Sequence, residues 1–582
     1  MKGFFGRILY IDLSRRTYRS DAVDDSVLSR YLGGKGLATH LLLEGNPPGV
    51  DPFSEENNLI FALGPVTDTP VHGSSRYGVF TKSPLTGFYS ESYSGGKTAE
   101  PMSRAGYDAI VLYGKSTEPV FLEISDRGVG FHDASGLWGK GTYETEDALL
   151  KAVDARGAKA VVIGPAGESL VRFALIGNDH WRCAGRTGVG AVMGSKKVKG
   201  IVFYGEAKRE LAHGDLVEEF RRKTLAKAKD NPGVAAYRNL GTPMMVALLT
   251  PVASFPSRYW SQGRCEHWER LAAETMKERL STRPRACSKC FMACGKLSEV
   301  REGRHKGLKI EGPEYETIYA FGGLCMIDRI EEIAYLNDLC DNLGLDTITA
   351  GNLAAFAIEA SLRGRIPDRL DYGDVDGVAR LLDGIVNRDG IGAALAEGIR
   401  FASREWGLED LAIHVKGMEP AGYDPRSLKG MGLAFATSDR GACHLRTTFY
   451  KPELAGISPP DRMEGKARIF VDYEDRLNIF DTMIFCRFFR DLYLWDDLRE
   501  VIMATTGLDL KEEELRRIAC NIADATRAFN IREGLTREDD TLPRRFFEEP
   551  IEEGRIFKRE DFDRLLAEYY QLRGWDEEGV PP

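Results

Sequence analysis

Near residue 208 the chain changes texture, and that change limits the folds open to it more than any single motif. Upstream, the runs GRILYIDL, NNLIFALGPV, RYGVFTKSP, YDAIVLYGK, PVFLEI and KAVVIGP are short, apolar and bounded by Gly, Pro, Asn and Asp, as strands are. Downstream, DLVEEFRRKTLAKAKDN, RIEEIAYLNDLCDNLG, DGVARLLDGIVNRDG and ELRRIACNIADATRAFNIREG repeat apolar residues at three and four, the spacing of amphipathic helices. No fixed-period repeat is visible. The expected fold class is therefore α+β, a β-rich N-terminal part followed by a mostly helical remainder. At 582 residues the chain exceeds what one core usually organises.

The bulk chemistry excludes several functions. Hydrophobic residues make up 43% and charged residues 29%, an ordinary globular balance that favours a folded enzyme. The 78 basic and 88 acidic residues leave a net charge of −10, and the basic ones are scattered, so a nucleic-acid partner is not expected. No apolar run is long enough to span a membrane. Arg15-Arg16 is followed by RSDAVDDSVLSRYLGG, which lacks the apolar segment of an export signal, so the expected location is cytoplasmic. In a reducing compartment the 10 cysteines point to free thiols, metal ligands or catalysis rather than to disulfides.

Three of those cysteines cluster. Cys287, Cys290 and Cys294 in RPRACSKCFMACGKLSEV stand two and then three residues apart, so one loop can aim three sulfurs at a common centre. Structural zinc usually takes two ligand pairs, whereas a compact triple with a distant fourth ligand is closer to iron–sulfur ligation. Among the downstream cysteines, Cys340 and Cys520 lie on periodic helices as core residues, which leaves Cys443 and Cys486 as the better fourth ligands.

Other segments suggest a bound anion and acid–base chemistry. RCAGRTGVGAVMGSKKVKG, residues 182–200, joins glycines to Arg182, Arg186, Lys196 and Lys197, a composition that lets backbone approach a phosphate. A dinucleotide fingerprint would need an apolar strand just upstream, and NDHWRCAGRT is not one. Asp341 falls in the last turn of a helix, against the macrodipole, so either a hydrogen-bonding ligand or solvent should compensate it; Asp346 can simply cap the next helix. EGPEYETIYAFGG offers Glu311, Glu314, Tyr315 and Glu316, and TSDRGACHLRTT sets His444 beside Cys443 and Arg446.

Taken in order, GRILYIDLSRRTY, SSRYGVFTKSPLTG, RCAGRTGVGAVMGSKK, CSKCFMAC, GPEYET, DNLGLD, YDPRSLKGMGLAFATSDRGACHLR and DTMIFC resemble the aldehyde:ferredoxin oxidoreductase family, tungsten bis-pterin enzymes with one 4Fe–4S cluster. The resemblance covers nearly the whole chain. It implies an N-terminal double β-sheet domain over residues 1–208 that cradles the cofactor. Two mostly α-helical domains would follow: 209–415 with the Cys triple and the first Asp element, and 416–582 with His444 and the fourth cysteine. By the same resemblance the cluster ligands are Cys287, Cys290, Cys294 and Cys486. Pterin contacts fall on Arg76, Tyr93, Ser94, Gly95, Arg182, Cys183, Gly185, Arg186, Asp341, Gly344, Asp346, Thr347, Arg446 and Asp481. Main-chain oxygens of residues 93 and 183 would hold a Mg2+ ion between the pterin phosphates, although Tyr93 replaces the family's usual Asn.

The family holds its two pterins with a repeated Asp-x-x-Gly-Leu-Asp/Cys element. Asp341–Asp346 fits it, whereas DTMIFC puts Ile484-Phe485 where Gly-Leu belongs, which should hinder close backbone approach. Some members bridge subunits with an iron on Glu-x-x-His; EEIAYLND has no such histidine, so a homodimer here would lack that iron. The implied reaction is oxidation of a small aldehyde with water to the carboxylic acid at tungsten or molybdenum, electrons leaving through the cluster to ferredoxin or a ferredoxin-like subunit. Glu316, with Tyr315 beside it, and His444 are the expected catalytic residues. The alternatives are low-potential reduction of a carboxylate, a 2-oxo acid or an aromatic thioester on the same cofactor, a zinc-stabilised NAD(P) dehydrogenase, or a scaffold without metal.

Overall fold

In the computed structural model, which describes residues 1–582, the strand-rich part forms two six-stranded sheets. The first has the order β2-β1-β6-β3-β4-β5, built from Arg7–Asp12 (β1), Thr17–Ala22 (β2), Leu59–Ala62 (β3), Tyr77–Lys82 (β4), Tyr89–Ser94 (β5) and Ala109–Tyr113 (β6). The second uses Val120–Ser125 (β7), Gly128–Asp133 (β8), Lys159–Val162 (β9), Ile176–Asn178 (β10), Arg182–Ala184 (β11) and Val198–Phe203 (β12). Read from its other edge, its order is β8-β7-β12-β9-β10-β11.

The two orders are the same. In each sheet the first two strands form a hairpin, the first runs parallel to the sixth, and every other neighbour is antiparallel. Helices occupy the same two connections: Gly34–Gly45 and Thr142–Val153 after the hairpins, Ala99–Arg104 and Val189–Ser195 before the sixth strands. The N-terminal part is thus a structural duplication, although no repeat shows in the sequence. Apolar residues of both sheets, such as Leu9, Phe61, Leu122 and Val161, share one core between them. The largest core belongs to the helical remainder and draws on both sides of residue 415, for example Phe356 and Phe546. No helix is long and apolar enough to cross a membrane.

The duplication extends to what the sheets support. After β3 and after β9 comes a Gly-Pro turn, and each is seated on the C-terminal end of a long helix. Gly164 lies against Leu343-Gly344 at the end of the Ile330–Leu343 helix, and Gly64 against Met483-Ile484 at the end of Lys466–Met483; a Cβ on either glycine would overlap the carbonyl oxygen it faces. Both helices end in the same left-handed turn, Gly344 at φ 84° and Ile484 at φ 59°. The amides of Leu345 and Phe485 close them by donating to Cys340 O and Phe480 O, each at 2.8 Å. Ile484 therefore keeps the same turn as Gly344, at a cost of about 1–2 kcal/mol for a β-branched residue in this conformation. Its buried side chain lies over Gly34, whose missing Cβ makes the room.

Gly64→Ala and Gly164→Ala should each displace the turn beneath them and destabilise the protein by roughly 1–3 kcal/mol or more, read as a lowered midpoint in thermal or denaturant unfolding. Gly214→Ala, with open space around it and no left-handed backbone, serves as the control.

Candidate cofactor and cluster site

The Cys triple sits in the connection between Arg283–Arg285 and Gly295–Glu299, two strands of a small three-stranded sheet that pins the loop's ends. Cys486 arrives from the far end of the second left-handed turn, its amide fixed on Gly73 O at 2.8 Å. Cys287, Cys290, Cys294 and Cys486 together line one enclosed cavity with Arg76, Arg182 and Ser288. Gly96 donates its amide to Cys287 Sγ at 3.2 Å. A Cβ on Gly95 would come within 3.1 Å of that sulfur, so glycine permits the close approach.

No three His, Cys, Asp or Glu side chains converge tightly enough to ligate a single metal ion. Four thiols standing round a cavity suit a multi-atom inorganic group better than one zinc. Cys443, the other candidate for the fourth ligand, is elsewhere: its sulfur accepts from Arg440 Nη2 at 2.9 Å and Leu445 N at 3.3 Å. Although burial alone would raise its pKa, Arg440 and Arg446 lower it.

Arg76 joins this cavity to the cradle next to it, reaching toward Cys486 Sγ at 4.0 Å and donating to Tyr93 O at 3.4 Å. Arg186 gathers the other side. Its Nη1 donates to Asp346 Oδ2 at 2.8 Å and Thr349 Oγ1 at 3.3 Å, and its Nη2 to Glu419 O at 2.5 Å. Asp346 also caps the Thr347–Leu362 helix through Ile348 N. Thr347 Oγ1 lies 2.9 Å from Thr317 Oγ1, on the Glu316 segment. Asp341 does not point to solvent: Asn337 donates to it at 2.8 Å, and burial with Asp338 and Glu311 nearby pushes its carboxyl far above the usual range. Burial and the helix dipole thus both disfavour the charged form of this carboxyl.

Arg446 Nη1 meets both Glu91 and Asp481, the latter at 2.6 Å, while its Nε and Nη2 are buried without a partner. These donors are free to meet an acceptor, as are those of several other buried arginines. Gly185 has only Cys183 Sγ near its missing Cβ, at 3.4 Å, which leaves its face open. Arg182 is held by Glu311 beside Cys287 and Cys294.

The third part of the site is a carboxyl–imidazole pair. Tyr315 and Glu316 open a helical turn that continues as a π-helix over Ile318–Leu324. Gly422 N donates to Glu316 Oε2 at 2.9 Å, leaving Oε1 without a hydrogen bond and 3.5 Å from His444 Nε2. Burial pushes Glu316 up to about 8. Burial, reinforced by Arg440, Arg186, Arg446 and Arg490, drives His444 well below its usual pKa, so the imidazole is neutral. The ring stacks on Tyr423 at 5.5 Å. Tyr315 is almost fully buried and its hydroxyl is committed to Gly422 O, so it braces Glu316 from behind.

Arg76, Tyr93, Gly185, Arg186, Glu316, Thr347, His444 and Cys486 share one feature: each is partly exposed although the chain around it is buried. Of these, Arg76 and Cys486 line the four-cysteine cavity. Sequence reasoning missed Lys35, Glu91, Glu419, Tyr423 and Asp439. Lys35 Nζ binds Glu91 at 3.2 Å and Asp439 at 2.6 Å, and Glu91 also accepts from Tyr93 Oη at 2.6 Å. Only the breach of strand alternation in YSESYS, which buries a glutamate, could have flagged Glu91.

A duplicated double sheet that supports two matched turns, a four-thiol cavity and inward arginines defines a cofactor-cradling protein of the redox type. Comparisons agree. Residues 8–205 match "Aldehyde ferredoxin oxidoreductase, N-terminal domain" and residues 219–582 match "Aldehyde ferredoxin oxidoreductase, domains 2 & 3". The chain belongs to the aldehyde ferredoxin oxidoreductase family. It is 36% identical to the tungsten-containing aldehyde ferredoxin oxidoreductase of Pyrococcus furiosus and 35% identical to that of Thermococcus kodakarensis, in both cases across 100% of this chain and 98% of the relative. Among solved structures it is similar to a chain of the active site complex BamBC of benzoyl coenzyme A reductase with 1,5-dienoyl-CoA. The TM-score is 0.86 at 27% identity, over 100% of this chain and 96% of that one.

Arg446→Met would strand Glu91 and Asp481 in the interior. Because Lys35 and Arg487 still reach one carboxylate each, the loss should be about 3 kcal/mol, measured by chemical unfolding of purified variant and wild type.

Proposed function

We propose that the chain oxidises an aldehyde with water to the carboxylic acid at a tungsten or molybdenum bis-pterin centre, and passes the electrons through a 4Fe–4S cluster to ferredoxin or a similar carrier. The observation that supports this reading most is the four-cysteine cavity, which Arg76 links to Tyr93 on the neighbouring sheet. Cys287, Cys290, Cys294 and Cys486 would hold the cluster. Arg76, Tyr93-Ser94-Gly95, Arg182, Cys183, Gly185, Arg186, the Asp341–Thr347 turn, Arg446 and Asp481 would hold the pterins. The main-chain oxygens of Tyr93 and Cys183, near the ends of the equivalent strands β5 and β11, would hold Mg2+. When bound, the metal centre supplies a two-electron acceptor that is also a Lewis acid.

The chain's own residues handle protons and position. With Oε2 fixed by Gly422, Glu316 presents Oε1 as its reactive edge, and in its ionised form can take a proton from the attacking water. Neutral His444 can donate Nε2–H to the aldehyde oxygen as negative charge develops there. Tyr315, Tyr423 and the Gly422 amide keep the pair in register.

Since Glu316 is raised to about 8, its base form grows as pH rises through that value, and kcat/KM for aldehyde oxidation should climb over the same interval. Glu316→Gln should lower turnover about 10²-fold or more and flatten that limb with metal content intact; full activity would remove Glu316 from the mechanism.

Elemental analysis should find about four irons and about one tungsten or molybdenum per chain, and Cys486→Ala should lose the reduced cluster's paramagnetic signal. One zinc with NAD(P) binding would instead support a dehydrogenase. The likeness to the benzoyl coenzyme A reductase complex favours one second reading, reduction of an aromatic thioester; a viologen-linked assay of aldehydes against thioesters separates the two.

A further inference from the structure

The cysteine loop has an outer side as well as an inner one. Cys287 and Cys290 line the enclosed four-cysteine cavity and also an open depression of about 570 Å3, shared with Pro70, His72, Arg221, Lys289 and Phe291. Cys294 and Cys486 do not reach it. Cys287 and Cys290 are therefore the two of the four cysteines that line both spaces.

Pro70 also lines a second groove of about 930 Å3, so the two adjoin. Across them Arg104, Arg127, Arg156, Lys208, Arg221 and Lys289 face three carboxylates, Asp68, Asp126 and Glu206. Asp68 already serves both Arg104 and Lys289, Glu100 also meets Lys289 and Glu218 meets Arg221, so the cations outside any ion pair are Arg127, Arg156 and Lys208. The surplus is positive on a chain whose net charge is −10. The stretch 281–298 adds the exposed Arg283 and contains no Asp or Glu. An apolar centre of Pro70, Ala286 and Phe291 within a basic rim has the anatomy of a small transient protein interface.

We propose that an acidic iron–sulfur carrier protein docks on this basic face over Cys287 and Cys290 and takes single electrons there from the cluster. The inference rests on the cluster assignment made above. Each transfer oxidises the enzyme's reduced cluster by one electron and reduces the carrier's by one, so two carriers leave for each aldehyde oxidised. Electrostatic attraction would raise the encounter rate more than the residence time, which suits a carrier that must leave after each electron.

The test uses the holoenzyme with a purified ferredoxin of net negative charge, and benzyl viologen as a cationic dye that the same face repels. Between about 50 mM and 500 mM salt the ferredoxin-linked rate should fall about tenfold while the viologen rate does not fall. The triple variant Arg156→Glu, Lys208→Glu and Arg221→Glu should raise KM for ferredoxin about tenfold, with viologen turnover and the cluster's paramagnetic signal unchanged. A ferredoxin rate insensitive to salt, or an unchanged KM in a folded triple variant, overturns the docking face. Should the variant fail to fold, the wild-type salt series decides alone. Absence of a cluster signal from wild-type protein would refute the cluster assignment instead, which keeps the two failures distinct.

Discussion

Arg446 is the residue on which the closure of the molecule depends. Its guanidinium touches Glu91 on strand β5 and Asp481 on the Lys466–Met483 helix, so one cation joins the N-terminal sheet to the element that delivers Cys486. Lys35 and Arg440 also reach Glu91, and Arg487 reaches Asp481. Taking such ions out of water costs several kcal/mol apiece, and the alternation of sign is what offsets it. The network is nevertheless incomplete, since Arg446 Nε and Nη2 and Asp439 Oδ1 have no partner. A half-met network is expensive unless something completes it, and donors left over on an inner wall are the means by which a protein grips an anionic cofactor.

The duplicated sheets explain why there are two such walls. Each half ends in a Gly-Pro turn that can approach a helix end only because glycine has no Cβ, and each helix end folds into the same left-handed turn. The backbone is symmetric; the chemistry is not. The residue two places beyond the left-handed position is Asp346 in one half, bound to Arg186, and Cys486 in the other, facing the cysteine cavity. Equivalent positions thus serve a charge clamp on one side and a proposed cluster ligand on the other. Ile484 keeps the geometry at an energetic cost because Gly34 gives its side chain a place to go.

What could be read from the sequence follows from where local pattern and burial agree. The runs around β1, β3, β4, β6, β7 and β9 are apolar because they are central or face a core, and all six form strands. The edge strand TYRSDA is polar and mostly exposed, and YSESYS buries its polar residues against the site, so neither carries a strand's usual signature. The repeat was hidden because it lies in strand order rather than residue identity. Spacing alone left Cys443 and Cys486 equal; the fold brings Cys486 to the cavity of the triple by setting Gly73 beside the second turn. Lys35, Glu91, Glu419 and Asp439 are solitary charges whose partners lie far off in sequence, and no periodicity reports that.

Burial alone would push every carboxyl in this site upward, yet they do not behave alike, and the arginines decide the difference. Glu91 is fully buried but lies among Arg446, Lys35 and Arg440, which hold it well below the usual carboxylate range against the cost of desolvation. Glu316 and Glu419 are also raised by burial, to about 8 and about 7, and the main cation near both is Arg186, which is already committed to Asp346. The same interior therefore keeps one carboxylate as a fixed charge and lets two others titrate near neutrality. A fixed charge can hold a cofactor in place, and only a group that titrates can carry a proton away from it. Glu316 is on that ground the proposed proton carrier, distinct from the cysteines proposed to carry the electrons.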